Sequence, residues 1–386
     1  MECYLDNSAT TRVSEDVAEL ALKIMTEEYG NPSSMHHMGK LSEDLVKKAA
    51  GQIAKTLHCS DKEIVFTSGG TESDNMAILG TAAALGKEVG RHMICSRVEH
   101  PAVSETMRYL EKQGWEISYL SVDRDGRIDP EELRSMIRPD TCLVSIMYVN
   151  NEIGSLMPIE EAGRVIRQAG GKIYFHVDAI QAYGKFDINP KALGIDLLSV
   201  SGHKIHAPKG TGFLYVRNGV RIVPVSYGGG QQKGMRSGTL NVPGIAALGL
   251  AAENAYKGLD EKVERLRELK ALFINEITDT LEDVYINGRT DVISAPHIIS
   301  LSVRGVRAEV LLHALEDRHV YVSAGSACSS NRPHVSNTLE AIGLDKELLD
   351  STIRISLSVY TTEEEIREAV AALTDIVPML RKYSRR

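Results

Sequence analysis

Four side chains in this sequence could carry covalent or proton-transfer chemistry: Lys204, Asp178, His100 and Cys328. The apolar run Leu197–Val200 ends in Ser201-Gly202-His203-Lys204. The run reads as a buried strand and the glycine breaks it, which sets Lys204 just past the strand's carboxyl end. Ligands of α/β sheets bind at such ends. A lysine held there and partly desolvated can lose its proton and form a Schiff base with a carbonyl. A surface lysine in a loop is the plainer alternative. Asp178, in His176-Val177-Asp178-Ala179-Ile180-Gln181, ends the strand-like run before it. Because Lys204 follows on the next strand, a functional carboxylate ranks above a capping one. His100 lies in Val98-Glu99-His100-Pro101-Ala102, between a strand and a helix. Lone histidines are more often structural, but imidazole titrates near neutrality and so suits proton transfer. Cys328 sits in Ser323-Ala324-Gly325-Ser326-Ala327-Cys328-Ser329-Ser330, a small, polar, flexible setting.

Three further stretches add binding groups. Thr67-Ser68-Gly69-Gly70-Thr71-Glu72 follows a strand and opens a helix. Its glycines let the backbone curl closely, and free N–H groups at a helix start attract a phosphate. Two glycines also simply turn chains. Asn150-Asn151-Glu152-Ile153-Gly154 reads first as a turn. Arg354, in Thr352-Ile353-Arg354-Ile355-Ser356, interrupts an apolar alternation. An arginine there needs a partner, and a carboxylate suits its forked donors.

The elements that must position these groups alternate. Strands are predicted at 63–67, 93–96, 116–120, 141–148, 172–177, 197–201 and 212–216. Helices are predicted at 15–28 (capped by Ser14), 40–57, 71–85, 102–113, 130–137 and 158–169. Such alternation gives a mostly parallel seven-stranded sheet covered on both faces, the α/β class. After Gly228-Gly229-Gly230 the pattern changes. Residues 243–280 read as helix, broken near Gly258, and the rest as β-β-α, a long loop, then β-α. The expected division is a large domain over 15–257. A smaller α+β domain comprises 1–14 and 258–386 and carries the Cys328 loop.

Composition excludes several classes. The 386 residues are 43% hydrophobic and 25% charged, with a formal net charge of −8. That is a soluble globular balance and not a nucleic-acid surface. No stretch has the apolar length of a membrane span, and the N-terminus lacks a secretory pattern, so a cytoplasmic location is expected. Five cysteines (Cys3, Cys59, Cys95, Cys142, Cys328) include no Cys-x-x-Cys pair, which argues against a disulfide framework or zinc site. Cys95 and Cys142 lie in apolar runs and read as core.

Ser201-Gly202-His203-Lys204 resembles the cofactor-lysine signature of the class V aminotransferases. The chain resembles most closely their NifS-like cysteine desulfurases, from Leu5-Asp6-Asn7-Ser8-Ala9-Thr10-Thr11 to Arg354. The resemblance implies the fold type I of pyridoxal phosphate (PLP) enzymes and a homodimer. Lys204 would hold PLP. Gly70, Thr71, Ser201 and His203 would surround its phosphate, and Thr239 would reach the partner subunit's phosphate. Asp178 would pair with the pyridine nitrogen and keep the ring an electron sink. Gln181 would bond the ring hydroxyl oxygen. His100 would stack on the ring and move protons, while Asn151 would lie near the cofactor oxygen and, with Arg354, bind the substrate carboxylate. Cys328, on an extended mobile loop, would take sulfur from L-cysteine as a persulfide, leaving L-alanine. An iron–sulfur scaffold or thiolation enzyme would accept it. Gln232 departs from the family's usual acidic residue, and His206 and Ala207 from its usual tyrosine and glycine. Selenocysteine lyase, ordinary aminotransferase and non-catalytic PLP-binding sulfur-relay scaffold are the alternatives.

Overall fold

The computed structural model describes residues 1–324 and 336–384. Its strands are β1 (Cys3–Tyr4), β2 (Ile64–Thr67), β3 (His92–Ser96), β4 (Glu116–Leu120), β5 (Thr141–Met147), β6 (Tyr174–Asp178) and β7 (Leu197–Ser201). They continue with β8 (Gly212–Val216), β9 (Val284–Asn287), β10 (Ile298–Val303), β11 (Val320–Tyr321), β12 (Ser323–Ala324) and β13 (Thr352–Ser356). The helices used below are α1 (Glu15–Thr26), α2 (His37–Thr56), α3 (Gly70–Leu85) and α4 (Pro101–Lys112).

A seven-stranded sheet runs β2-β8-β7-β6-β5-β3-β4. The β4-β3-β5-β6-β7 pairs are parallel, and β8 lies antiparallel to both β7 and β2. β3, β5, β6 and β7 are buried along their whole length, which is why they read as unbroken apolar runs rather than alternations. Cys95 and Cys142 are fully buried there, as expected. Because β2 and β7 both run opposite to β8, the carboxyl ends of β2, β3, β5, β6 and β7 share one edge. Thr67 and Ser201 both pair with Gly212 at that edge. A side chain on Gly212 would sit 2.7 Å from the Gly69 Cα, so this glycine lets the start of α3 close down onto β7.

A second, four-stranded sheet has the order β12-β13-β10-β9. Its core combines Leu301 and Ile353 with Phe273 and Ile277 of the helix Leu259–Thr280 and Leu373 of the helix Glu363–Ser384. The N-terminal strip joins this layer. β1 pairs with β11, Cys3 and Leu5 enter the same core, and Asp6 bridges to Ser356. The helical stretch breaks at Gly258, whose φ of 65° ends one helix and starts the next.

The differences from the sequence reading are local. α2 begins at His37, where His36 caps Gly39 N–H. Ser14 occupies the cap position of α1 but makes no capping hydrogen bond. β11, β12 and the short helices Asn337–Ala341 and Lys346–Leu349 fall where a long loop was expected.

Candidate active site

Lys204 ends a single turn, Gly202–Lys204, directly after β7. Its ammonium donates to the carbonyls of Ser8 and, at 2.7 Å, Ala9. The N-terminal strip is therefore a wall of the site and not a tail. The strip is pinned in turn: Thr11 N–H and hydroxyl both donate to the His203 carbonyl, at 2.9 and 3.0 Å. His203 Nδ1 lies 3.3 Å from Thr10 Oγ1.

Asp178 closes β6 and is 4% exposed. Its carboxylate accepts Ile180 N–H at 2.9 Å. Burial, then the negative charge of Asp74, pushes its carboxyl up to about 8. Gln181 donates to the Ser8 carbonyl at 3.1 Å, and its oxygen meets His297 Nε2 at 3.3 Å.

His100 is the N-cap of α4, its Nδ1 accepting Ala102 N–H at 3.1 Å. The structural and the chemical readings of this histidine are thus compatible. With Nδ1 an acceptor, the ring proton resides on Nε2. Burial and the nearby Lys204 charge lower His100 to about 4, so the imidazole is neutral at working pH. His203 is lowered to about 4 by burial and the Lys204 charge, with Lys209 and His100 adding to them.

α3 starts beside Ser201. A side chain on Gly70 would lie 2.1 Å from Ile180 Cδ1 and 3.5 Å from Ser201 Cβ. Its absence brings the helix start, with Thr71, against the carboxyl end of β7. Asn150 proves to be the turn residue. It is fully buried, accepts the N–H groups of Glu152 and Ile153, and donates to the Val98 carbonyl. Asn151 follows, and its carbonyl accepts Arg354 Nη1 at 2.8 Å.

Arg354 projects from β13 of the second sheet. Its Nη2 pairs with Asp6 at 3.1 Å, and its buried Nε has no partner. The Nε edge of the guanidinium thus remains for a ligand carboxylate. Thr239 is exposed, beyond the loop turn Gln231–Gly234. Two contacts seat that loop against the sheet edge. Gln232 accepts Phe66 N–H at 2.7 Å and donates to the Phe66 carbonyl at 2.8 Å, and Arg236 pairs with Glu72 at 2.8 Å. His206 holds the Arg12 carbonyl and packs edge-on against Tyr360. Cys328 lies outside the described residues.

These groups suit a phosphate-bearing pyridine aldehyde. The start of α3, Ser201 and His203 offer donors for the phosphate. Asp178 offers a buried carboxyl for the ring nitrogen, and Lys204 an amine. Among the described residues no cluster could hold a metal ion, and no helix is long and apolar enough to cross a membrane.

Sequence reasoning missed Asp6, the Ser8 and Ala9 carbonyls, and two buried groups below Asp178, namely Asp74 and His176. The last had a signal, since residues two apart on a strand share a face.

Comparison with known proteins gives a consistent result. The family described as aminotransferase class-V matches residues 3–368. The cysteine desulfurase IscS of Dictyoglomus turgidum is 44% identical over 99% of this chain and 96% of its own length. A solved structure described as a NifS-like protein superposes with a TM-score of 0.92, at 37% identity, covering 98% of this chain and all of that one. Another, described as SspA in complex with cysteine, has a TM-score of 0.81 at 34% identity, covering 93% and 100%.

Proposed function

The chain belongs to the class V aminotransferase family, and from that premise we propose that it is a PLP-dependent cysteine desulfurase acting as a homodimer in the cytoplasm. The observation that carries this reading is the convergence at one sheet edge of Lys204, the buried Asp178 and the neutral His100, together with the buried, unpartnered Nε of Arg354. When bound, PLP supplies the electron sink for a carbanion next to the amino nitrogen. This chain's residues do the rest. Arg354 and Asn151 orient the L-cysteine carboxylate. Lys204 removes the proton from the substrate Cα. His100, neutral with its proton on Nε2, moves protons at the substrate. Asp178 would hold the proton at the ring nitrogen, and Gln181 would bond the ring hydroxyl oxygen.

The Cys328 thiolate then attacks the substrate sulfur. A sulfur–sulfur bond forms and the substrate Cβ–S bond breaks. The electron pair goes to the carbon skeleton, which takes up a proton and leaves as L-alanine. Cys328 keeps the sulfur as a persulfide, for transfer to an acceptor protein such as an iron–sulfur scaffold or thiolation enzyme. We also propose the division into a large domain (15–257) and a small one (1–14 and 258–386). A hydrophobic core drawn only from residues of 1–14 and 258–386, and the pairing of β1 with β11, support it.

The test is Cys328→Ala. The variant is expected to bind PLP and change its visible spectrum with cysteine, but to release almost no alanine. Near-normal alanine release, with no persulfide on wild-type Cys328, overturns the mechanism. An ordinary aminotransferase would instead need an added keto acid.

A further inference from the structure

The interface between α3 and the large sheet buries a carboxylate that the chemistry above does not use. Asp74 lies one turn beyond Gly70 on α3 and is fully buried, with the Ser199 hydroxyl beside its carboxyl group. Across the interface His176 Nε2 stands 3.5 Å from Asp74 Oδ1. His176 is on β6 two residues before Asp178, so both side chains leave the strand on the same face. The imidazole meets the hydroxyls of Ser145 on β5 at 2.8 Å and Ser199 on β7 at 3.0 Å. Glu99, after β3, is buried too. One oxygen accepts from Ser96 and from Met147 N–H, and the other has no partner. His176, when protonated, and Lys204 are the cations whose charge reaches Asp178.

A buried carboxylate with no more than a hydroxyl to donate to it is costly as an ion, so it persists as a neutral acid or beside a protonated neighbour. Asp74 and His176 provide both forms with one proton. Either Asp74 is the acid and His176 neutral, or Asp74 is the anion and His176 the cation. The hydroxyls of Ser145 and Ser199 can rotate to serve either arrangement.

We propose that Asp74 is a positioning residue that acts on Asp178: it shares one proton with His176, and its negative charge, when present, strengthens the hold of Asp178 on a proton. This rests on the reading that a pyridine nitrogen docks at Asp178. A carboxylate behind that pair keeps the ring nitrogen protonated to higher pH. Burial raises the carboxyls of Asp74, Asp178 and Glu99 and lowers His176. The charge of Asp74 is the second cause of the Asp178 shift after burial, and His176 and Lys204 act in the opposite direction.

The test is Asp74→Asn, which keeps the shape and removes the titrating group. In the PLP-free protein, carboxyl 13C and imidazole 15N resonances are followed against pH. The Asp178 titration is expected to move down by about one pH unit, and His176 to lose any inflection it shares with Asp74. With 15N-labelled PLP bound, loss of the ring-nitrogen proton is expected to move in the same direction. A merely structural Asp74 would leave these titrations in place, because the amide preserves the packing, and unmoved Asp178 and His176 curves overturn the proposal. Should Asp74→Asn fail to fold, the wild-type Asp74 carboxyl decides. An inflection common to Asp74 and His176 supports proton sharing, and its absence refutes it. Failure of the chain to take up PLP would refute the function proposed above, while the PLP-free titrations would still judge the proton sharing.

Discussion

Replacing Arg354 by lysine tests the carboxylate clamp with a magnitude that follows from its geometry. The guanidinium spends Nη1 on the Asn151 carbonyl and Nη2 on Asp6, leaving its buried Nε edge for a ligand. Lysine has a single nitrogen. It can keep Asp6 or meet a substrate carboxylate, but it cannot reproduce the fork. At least one charge-assisted hydrogen bond to substrate is lost, which is worth roughly 2 kcal/mol, or about 30-fold. The carboxylate does not react, so this binding is uniform and its loss is expected mainly in KM rather than kcat. Steady-state alanine release from L-cysteine measures that split. Cysteamine, which lacks the carboxylate, supplies the control. Wild type and Arg354→Lys are expected to differ little in how fast they take up cysteamine, read by the change in visible spectrum. An unchanged KM for cysteine, or an equal defect with cysteamine, would refute the clamp and leave Arg354 a structural link between β13 and the Asn151 turn.

Three further outcomes follow from particular contacts. Gln232→Glu is expected to cost about 1–2 kcal/mol near neutral pH, because a carboxylate faces the Phe66 carbonyl without a proton to donate. The protonated acid can donate, so its folded-state pKa is raised and the penalty fades on acidification. A pH-independent difference in urea unfolding would contradict this. His206 is lowered to about 4, chiefly by burial. Its contribution is therefore complete above the unfolded value and lost as pH falls toward the folded one. Relative to wild type, His206→Asn, which tolerates the positive φ, is expected to gain about 1–2 kcal/mol between pH 7 and pH 5 in denaturant titrations. Mixing inactive Lys204→Ala and Thr239→Ala chains is expected to restore activity by forming one intact shared site. No recovery after verified exchange of subunits would count against a site completed across the dimer.

What the sequence made legible was local. Leu197–Ser201, Thr141–Met147 and their neighbours declare themselves because a strand buried on both faces must be apolar throughout. The motifs then fall at strand ends by adjacency, as Ser201-Gly202-His203-Lys204 does. The unread parts depend on contacts far apart in the chain. β1 has two residues and no periodicity, and pairs with a segment more than 300 residues away. The Ser8 and Ala9 carbonyls that receive Lys204 are backbone groups, invisible to any motif. Asp74 looks like a solvated residue near a helix start. Only the packing of α3 on β6 reveals that it is buried. Gln232 is instructive in another way. As a departure from a family pattern it read as a lost carboxylate, yet its amide does what a carboxylate cannot. It pairs with both backbone groups of Phe66 on the open edge of β2, as a neighbouring strand would.

The charge states around Lys204 form one pattern. His100, His203 and His176 are held neutral, and Asp178, Asp74 and Glu99 are held as acids, with burial the first cause in each case. Direct ion pairing plays a smaller part than desolvation. Such an interior is prepared to exchange protons, because the three carboxyls lie near the balance between their two forms and a single new charge tips them. A cationic ring nitrogen at Asp178 would be that charge, drawing a proton out of the carboxyl cluster without any solvent proton. The phosphate would meet its counter-groups at the start of α3 and at His203. Lys204 itself donates to the backbone carbonyls of Ser8 and Ala9. An amine so held can be released to a carbonyl carbon, and the strip from Asn7 to Thr11 is then the part of the site that must give way when it moves.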